Sequence, residues 1–274
     1  MIRPLLLLVL CLAGAPAAAA PAADLWPRWQ RHDPASTLSV DHGPWGRLLA
    51  RHVKPLPDGS TAFAYGAVSA ADRKALEAYL ADMQKVAVSL LARPAQLAYW
   101  INLYNALTVE TILEHYPVAS IRDIDISPGL FSDGPWGARL AAVEGESLSL
   151  DDIEHRILRP IWGDPRIHYA VNCASRGCPD LQPEPFLAER VDHQLSAAAI
   201  DYVNHPRGVA LEGGEIVVSS IYRWFVEDFG GDERGVLRHL AAFAAPPLAM
   251  ELAGRDAIDG YAYDWSLNDV PAGR

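Results

Sequence analysis

The sequence predicts a single α+β domain in which helices pack on a small, mostly antiparallel sheet. Three observations favour this class. Helical and strand-like segments are interleaved without regular βαβ units. The chain has 274 residues, which is enough for one large domain with a substantial core. Half of its residues are hydrophobic, so most of the chain is expected to fold.

The first twenty residues have the pattern of a secretory signal peptide. Arg3 supplies a positive charge, residues 5–12 form an apolar run, and residues 18–20 (Ala-Ala-Ala) offer a cleavage site. The apolar run is shorter than the ~20 residues that a membrane-spanning helix needs. We therefore predict that residues 1–20 are removed, that no membrane span remains, and that the mature protein is periplasmic or secreted.

The charge balance limits the classes of partner. The formal net charge is -11 at pH 7. This balance argues against binding to the phosphate backbone of nucleic acids, which needs a basic surface. It also disfavours adhesion to anionic lipid. A small polar molecule or a peptide is the predicted partner, no cofactor or metal is predicted, and the oligomeric state stays open.

The chain divides into three parts after the signal peptide. Residues 21–68 are rich in Pro, Gly and His, and they predict an extended lead-in with one short helix near residues 45–52. Residues 69–268 are predicted to form the globular domain, and residues 269–274 a C-terminal tail.

Two helices open the predicted domain. Ser69 is a predicted N-cap, with Asp72 three positions later as in a capping box. The apolar stripe that follows predicts an amphipathic helix over residues 70–91. A proline then interrupts the pattern, and a second helix is predicted over residues 94–115.

The rest of the domain mixes strands and helices. Strands are predicted at residues 121–126 and 138–143, and a helix at residues 149–159. A further strand is predicted at residues 166–173, followed by a long loop. The remaining predicted elements are a helix at 187–203, a hairpin at 209–219, helices at 220–229 and 233–243, and a last strand at 257–265.

The second predicted helix is apolar on nearly all sides and carries two asparagines. Such a helix is normally buried, so Asn102 and Asn105 are expected to point inward. An unpaired buried amide costs about 1–3 kcal/mol, so each needs hydrogen-bond partners. Two interpretations stay open: the amides hold neighbouring loops, or they line a ligand site.

The helix over residues 149–159 carries an acid on its apolar face. Glu154 lies four residues after Leu150 and four before Leu158, and His155 lies at the edge of that face. A carboxylate on a buried face is expected to be paired or to have a raised pKa. It is either part of an internal salt bridge or a site group that orients a histidine or transfers a proton.

The segment with the most chemical potential carries a histidine and both cysteines of the mature chain. In an oxidising compartment, Cys173 and Cys178 are candidates for a disulfide. Alternatively, one of them is a thiolate nucleophile, with His168 or His155 as its base and Glu154 or an asparagine as the orienting group. A metal site is poorly supported by the spacing, and two buried, inert cysteines are the remaining interpretation.

Four ordered blocks resemble the domain of unknown function 547 family. They are YWINLYNALT at 99–108, LSLDDIEHRILR at 148–159, RIHYAVNCASRGCP at 166–179 and YDWSLN at 263–268. The resemblance implies an exported bacterial member with a single α+β domain, and it implies no established activity. The positions that match the family pattern are Asn102, Asn105, Glu154, His155, His168, Cys173 and Ser175.

The resemblance also bears on the cysteines. The position of Cys178 is less uniform in the family, which implies a reactive or site-lining role for Cys173 rather than a shared disulfide. A looser similarity is to papain- and transglutaminase-like hydrolases. The chain departs from their pattern because Asn102 or Asn105, and not a cysteine, lies on the candidate helix.

The lead hypothesis is therefore a cysteine-dependent hydrolase or acyl transferase of the cell envelope. Cys173 is its predicted nucleophile, with a histidine base and Glu154 as described above. The alternative is a non-catalytic periplasmic binding protein in which Cys173 and Cys178 form a disulfide. The predicted substrate-binding residues are Asn102, Asn105, Asn172 and Ser175.

Overall fold

The centre of the fold is its longest helix. A computed structural model describes residues 21–129 and 133–270, so the predicted signal peptide at 1–20 lies outside the described residues. Helix α3 (Arg93–His115, numbered in chain order with the helices given below) is buried on nearly all sides. The prediction from its apolar sequence is confirmed, and the other elements pack around it.

The segment before residue 69 contributes directly to the core. It contains α1 (Gly43–His52) and an antiparallel pair formed by β1 (Val53–Pro55) and β2 (Thr61–Phe63). Trp29 and Trp45 are buried in the same hydrophobic cluster as α3. The segment predicted as an extended lead-in is thus built into the packed structure.

Helix α2 (Ala70–Met83) begins where the sequence predicts and ends earlier. The Ser69 hydroxyl accepts a hydrogen bond from the backbone N–H of Asp72 at 3.1 Å, which confirms the N-cap. The helix was expected to continue to residue 91. Instead the chain turns after Met83 through a 3₁₀ turn at Val88–Leu90, which buries Val88 against the α3 cluster.

The β structure is divided among three small sheets. The hairpin of β3 (Ala141–Val143) and β4 (Glu146–Leu148) turns at Glu144-Gly145, where both residues have positive φ. The third sheet has β5 (Val209–Glu212) and β6 (Glu215–Ser219) antiparallel, with β7 (Gly260–Ala262) added parallel to β6. The α+β class is confirmed, whereas a papain-like arrangement finds no support.

Two predicted strands are wrong. Residues 121–126 contain the 3₁₀ turn Ile121–Asp123, which is favoured by a capping box between Ser120 and Asp123. Residues 166–173 contain the 3₁₀ turn Pro165–Tyr169, since Asp164 accepts a hydrogen bond from the Arg166 N–H and Pro165 is preset for a helical start. Both segments are apolar enough to imitate strands, but local capping decides their conformation.

A second hydrophobic cluster lies beside the first. Helix α5 (Val191–Val203) joins them, because its first half packs with α3 and its second half packs against the three-stranded sheet. Within the described residues, no helix is long and apolar enough to cross a membrane. The remaining helices are α4 (Arg159–Trp162), α6 (Ile221–Trp224), α7 (Glu233–Phe243) and α8 (Pro246–Ala253).

Candidate functional site

A cavity of about 600 Å³ opens where the two hydrophobic clusters meet. It receives side chains from α3, from the segment 151–155, from the thiol-bearing loop and from α6. This volume suits a small-molecule ligand. The chemically active side chains that line it are Tyr104, Asp151, Glu154, His155, His168, Cys173, Cys178 and Tyr263.

A π-helical turn, Asp152–Leu158, presents two consecutive polar residues to this cavity. The Arg159 N–H donates to the Glu154 carbonyl, five residues back. Such a turn is wider than an α-helical one and often marks a functional site. Glu154 and His155 are both nearly buried, with exposed fractions of 7% and 6%. The sequence predicts an ordinary helix here, with His155 only at the edge of the buried face.

The imidazole of His168 lies between two carboxylates. Its Nε2 is 2.7 Å from Asp228 Oδ2, and its Nδ1 is 3.7 Å from Glu154 Oε1. The ring stacks on Phe225, with centroids 4.2 Å apart. Because an ionised carboxylate only accepts hydrogen bonds, Asp228 fixes the proton on Nε2 and leaves Nδ1 facing Glu154.

Arg159 completes this array. Its Nε donates to Asp228 Oδ2 at 2.6 Å, and its Nη1 donates to His155 Nδ1 at 3.0 Å. Burial opposes ionisation of Asp228, but the hydrogen bonds from His168 and Arg159 hold its pKa well below the usual range. Burial lowers the pKa of His155. Since arginine only donates, His155 is the neutral tautomer with its proton on Nε2.

The thiols form a second cluster in the cavity wall. Cys173 is partly exposed and Cys178 is buried, both as free thiols, with their sulfurs 3.0 Å apart. The Sγ of Cys173 is also 3.1 Å from Ser175 Oγ and 3.0 Å from Tyr263 Oη. The two hydroxyls lie 2.8 Å apart. In the described part of the chain, the hydrogen-bond partners of this thiol include no histidine.

The two thiols have opposite acidities. The hydrogen bond from Cys178, with those from Ser175 and Tyr263, lowers the pKa of Cys173 against the opposing effect of its burial. Burial and the neighbouring Cys173 sulfur raise the pKa of Cys178. Burial also raises the pKa of Tyr263 well above its usual value, so its hydroxyl keeps its proton. The accessible Cys173 is therefore the more reactive thiol.

Asparagine side chains hold the backbone around Cys173. Asn105 donates to the Ala170 carbonyl at 2.8 Å and accepts from the Asn172 N–H at 2.8 Å. Asn172 in turn accepts from the Ala174 N–H and donates to the Pro179 carbonyl. Ala174 has a left-handed backbone, φ 58°, which costs about 1–3 kcal/mol in a residue other than glycine. The asparagine bonds stabilise this strained turn directly after the thiol.

Comparison with known proteins gives a family for this fold. Residues 88–203 match the model of a family described as "Protein of unknown function, DUF547". The match covers less than half of the chain, so it is this segment that is similar to the family. No curated protein and no solved structure matches it. The part that matches the DUF547 model includes α3, the π-helical turn, both thiols and α5.

The structure brings together the titratable residues predicted from the sequence. Glu154, His155, His168, Cys173 and Cys178 all line the one cavity. The predicted contact between a histidine and Cys173 is not formed. Glu154 does face both histidines, with its Oε1 4.0 Å from His155 Nδ1.

The predicted substrate-binding amides are placed differently. Asn102 is fully buried and exchanges two hydrogen bonds with the backbone of Phe186. Asn105 and Asn172 hold the thiol loop, as described above, and none of the three lies in the cavity wall. Of the two interpretations that were open for Asn102 and Asn105, the structure shows loop attachment. Ser175 is also buried and reaches the site only through Cys173 and Tyr263.

Four further residues complete the site. Asp228 and its contacts were missed because its partners, Arg159 and His168, are 69 and 60 residues away in the sequence. Tyr104 is fully enclosed. Burial and the nearby charges of Glu154 and the two thiols raise the pKa of its hydroxyl, so this side chain is influenced by both clusters. Tyr263 belongs to the YDWSLN block, which is the sequence signal that could have identified it as a site residue. The described residues contain no group of three or more His, Cys, Asp or Glu that could hold a metal ion.

Proposed function

We propose that this protein is a thiol-dependent hydrolase or acyl transferase with Cys173 as its nucleophile. The observation that carries the proposal is the environment of this thiol. The residue is partly exposed and lines the cavity, and its sulfur has Ser175, Tyr263 and Cys178 as hydrogen-bond partners, which favour the thiolate. A buried structural cysteine would have neither the exposure nor these donors.

The first step is acyl transfer to sulfur. The Cys173 thiolate attacks the carbonyl carbon of an ester or amide and forms a C–S bond. The bond to the leaving group then breaks, and that group takes a proton. Tyr263 keeps its proton and is available as a hydrogen-bond donor beside the sulfur. The product of this step is a thioester on Cys173.

The second step uses the opposite cluster. Glu154 and His168 line the same cavity as the thiols, and the charges of Glu154 and of both thiols act on the hydroxyl of Tyr104 in its wall. We assign to this pair the removal of a proton from the water or acceptor that attacks the thioester. The attacking oxygen or nitrogen forms the new acyl bond, and the sulfur leaves as thiolate. The histidine thus serves the second step rather than thiol activation.

Trapping of the acyl-enzyme tests this proposal. The purified protein is treated with p-nitrophenyl acetate, and intact mass and peptide mapping locate the acetyl group. Acetylation is expected on Cys173 and absent in Cys173→Ser. Acetylation elsewhere, or equal ester cleavage by Cys173→Ser, would contradict the assignment. Peptide mapping is needed because any unprocessed chain also carries Cys11.

The cell envelope is the proposed location of this activity. It is supported by the signal-peptide pattern of residues 1–20. N-terminal sequencing of protein recovered from the expressing cells tests it. A mature chain that begins near Pro21 in the periplasmic or secreted fraction is expected, and a chain that retains Met1 in the cytoplasm would contradict it.

A binding protein with a Cys173–Cys178 disulfide is the second candidate. The observation that favours it is the separation of the two sulfurs, 3.0 Å, which a small movement would bring to the ~2.05 Å of a disulfide bond. Oxidation would remove the nucleophile and leave the cavity as a ligand site. Mass measurement of native protein with and without reductant separates the candidates. A stable disulfide lowers the mass by two hydrogen atoms and prevents alkylation of both cysteines.

A further inference from the structure

The cavity has an aromatic wall, of which the proposed reaction uses only the hydroxyl of Tyr263. Trp224, Tyr263 and Trp265 form a triangle with ring centroids 4.7 to 5.5 Å apart. Trp136 meets Trp265 edge-on at 5.9 Å. All four rings line the cavity and are partly exposed. Partly exposed aromatic rings of this density are unusual unless something packs on them.

A carboxylate lies next to this wall without a cationic partner among residues 21–129 and 133–270. The Asp151 N–H donates to the Trp136 carbonyl at 3.0 Å, which ties the two residues together. The Asp151 side chain is 41% exposed, and its nearest basic neighbour is His155 Nε2 at 3.7 Å. That histidine is neutral, as shown above. Burial and the charges of Glu154 and Asp152 raise the pKa of Asp151 to about 6, so it is ionised at neutral pH.

The basic residue of the cavity wall does not neutralise Asp151. Arg122 is paired with Asp133, and its guanidinium lies 5.3 Å from the centre of the Trp265 ring. Its charge is therefore already balanced, and its position shows that this aromatic group accepts a cation on a ring face. Asp151 therefore keeps an unbalanced negative charge among the described residues of the cavity wall.

We propose that this end of the cavity binds an alkylammonium group of the substrate, with the rings of Trp136 and Trp224 around it and Asp151 as its counterion. A cation is attracted by the faces of aromatic rings and by the unbalanced carboxylate at once. The inference rests on the proposed function, because it takes the bound group to be part of the molecule on which Cys173 acts. A sugar ring would also pack on tryptophans, but it would leave the carboxylate charge unbalanced.

Calorimetric titration with a matched pair of small molecules tests the inference. Choline and 3,3-dimethyl-1-butanol (dimethylbutanol below) have nearly the same shape, but only choline carries a positive charge. Binding of choline, with dimethylbutanol at least tenfold weaker, is expected. Equal binding of the two would show a merely apolar cavity and overturn the inference, as would binding of neither.

Variants locate the binding site. Asp151→Asn and Trp224→Leu are each expected to weaken choline binding about 3- to 30-fold, the range for a desolvated cation–π or ionic contact. Asp82→Asn is the matched control, because that carboxylate is exposed and paired with Lys85 on the surface. Circular dichroism confirms that each variant is folded. The inference fails if Asp151→Asn binds choline as the control does.

The test separates this inference from the proposed function. Choline binding is measured without chemistry, and Cys173→Ser is expected to bind it as the wild type does. Acetylation of Cys173 without choline binding overturns only the inference about the substrate. Choline binding without acetylation overturns only the assignment of the nucleophile.

Discussion

The acidity of Cys173 is the property on which the proposed chemistry depends, and Tyr263→Phe tests its cause. The variant removes one hydroxyl, 3.0 Å from the sulfur, and keeps the aromatic ring. A hydrogen bond to a charged group contributes about 1.5 kcal/mol or more, and about 1.4 kcal/mol corresponds to one pKa unit. Ser175 and Cys178 remain as donors, so we expect the pKa of Cys173 to rise by about one unit.

The rate of alkylation reports this change. Below both pKa values, a rise of one unit reduces the thiolate fraction about tenfold, while the more basic thiolate is about threefold more nucleophilic. Iodoacetamide is therefore expected to alkylate Tyr263→Phe about threefold more slowly than the wild type at such a pH. Peptide mass mapping follows modification of Cys173 across the pH range and gives the pKa directly.

A second tyrosine provides the control. Tyr261 lies two residues away and donates its hydroxyl to Glu233 Oε1 at 3.0 Å, outside the cavity wall. Tyr261→Phe removes the same atom without touching the thiol. The reasoning is refuted if the pKa of Cys173 is unchanged in Tyr263→Phe, or if Tyr261→Phe raises it equally.

Three further predictions concern the carboxylates. Glu154→Gln is expected to let the acyl-enzyme accumulate, because its hydrolysis becomes at least about 100-fold slower. The rate at which Cys173 is alkylated should not change. Loss of both hydrolysis and alkylation would contradict separate roles for the two clusters. Asp228→Asn is expected to lower the free energy of unfolding by about 3 kcal/mol in urea titrations, because Arg159 loses its buried partner. The Asp192 side chain is 86% exposed, so Asp192→Asn should change the free energy of unfolding by less than about 0.5 kcal/mol. Similar losses of stability in the two variants would contradict this prediction. Ionisation of Asp151, whose pKa burial raises to about 6, opposes folding above its unfolded pKa of about 3.9. As the pH is raised from about 3.9 to about 6, the melting temperature of Asp151→Asn should therefore rise relative to that of the wild type. A difference in melting temperature that stays constant over this pH range would contradict the raised pKa of Asp151.

Periodicity in the sequence predicts the parts of the fold whose environment is uniform. Helix α3 is apolar and buried on nearly all sides, so composition alone specifies it. The same argument places Asn102 and Asn105 inside, where an amide needs partners. The partners themselves, the Phe186 backbone and the loop at Ala170, depend on tertiary contacts that a helical pattern does not contain.

The thiol loop shows where periodicity fails. Residues 166–173 alternate well enough to predict a strand, but Asp164 and Pro165 start a 3₁₀ turn. The turn buries both His168 and Tyr169, which a strand would place on opposite faces. His168 reaches the Glu154 side of the cavity as a result. Only the capping residues before the segment, Asp164 and Pro165, predict the 3₁₀ turn, because the apolar pattern suits a strand equally well.

The separation of the site into two clusters is itself informative about mechanism. If His168 were the base for Cys173, the thiol would need to donate a hydrogen bond to its Nδ1, which instead faces Glu154 at 3.7 Å. Asp228 holds Nε2 at 2.7 Å and Arg159 holds Asp228, so the ring is fixed away from the sulfur. The thiol, meanwhile, has its own donors. In the proposed reaction, this arrangement assigns activation of the nucleophile to the neighbours of the thiol and leaves the histidine for the molecule that attacks the thioester.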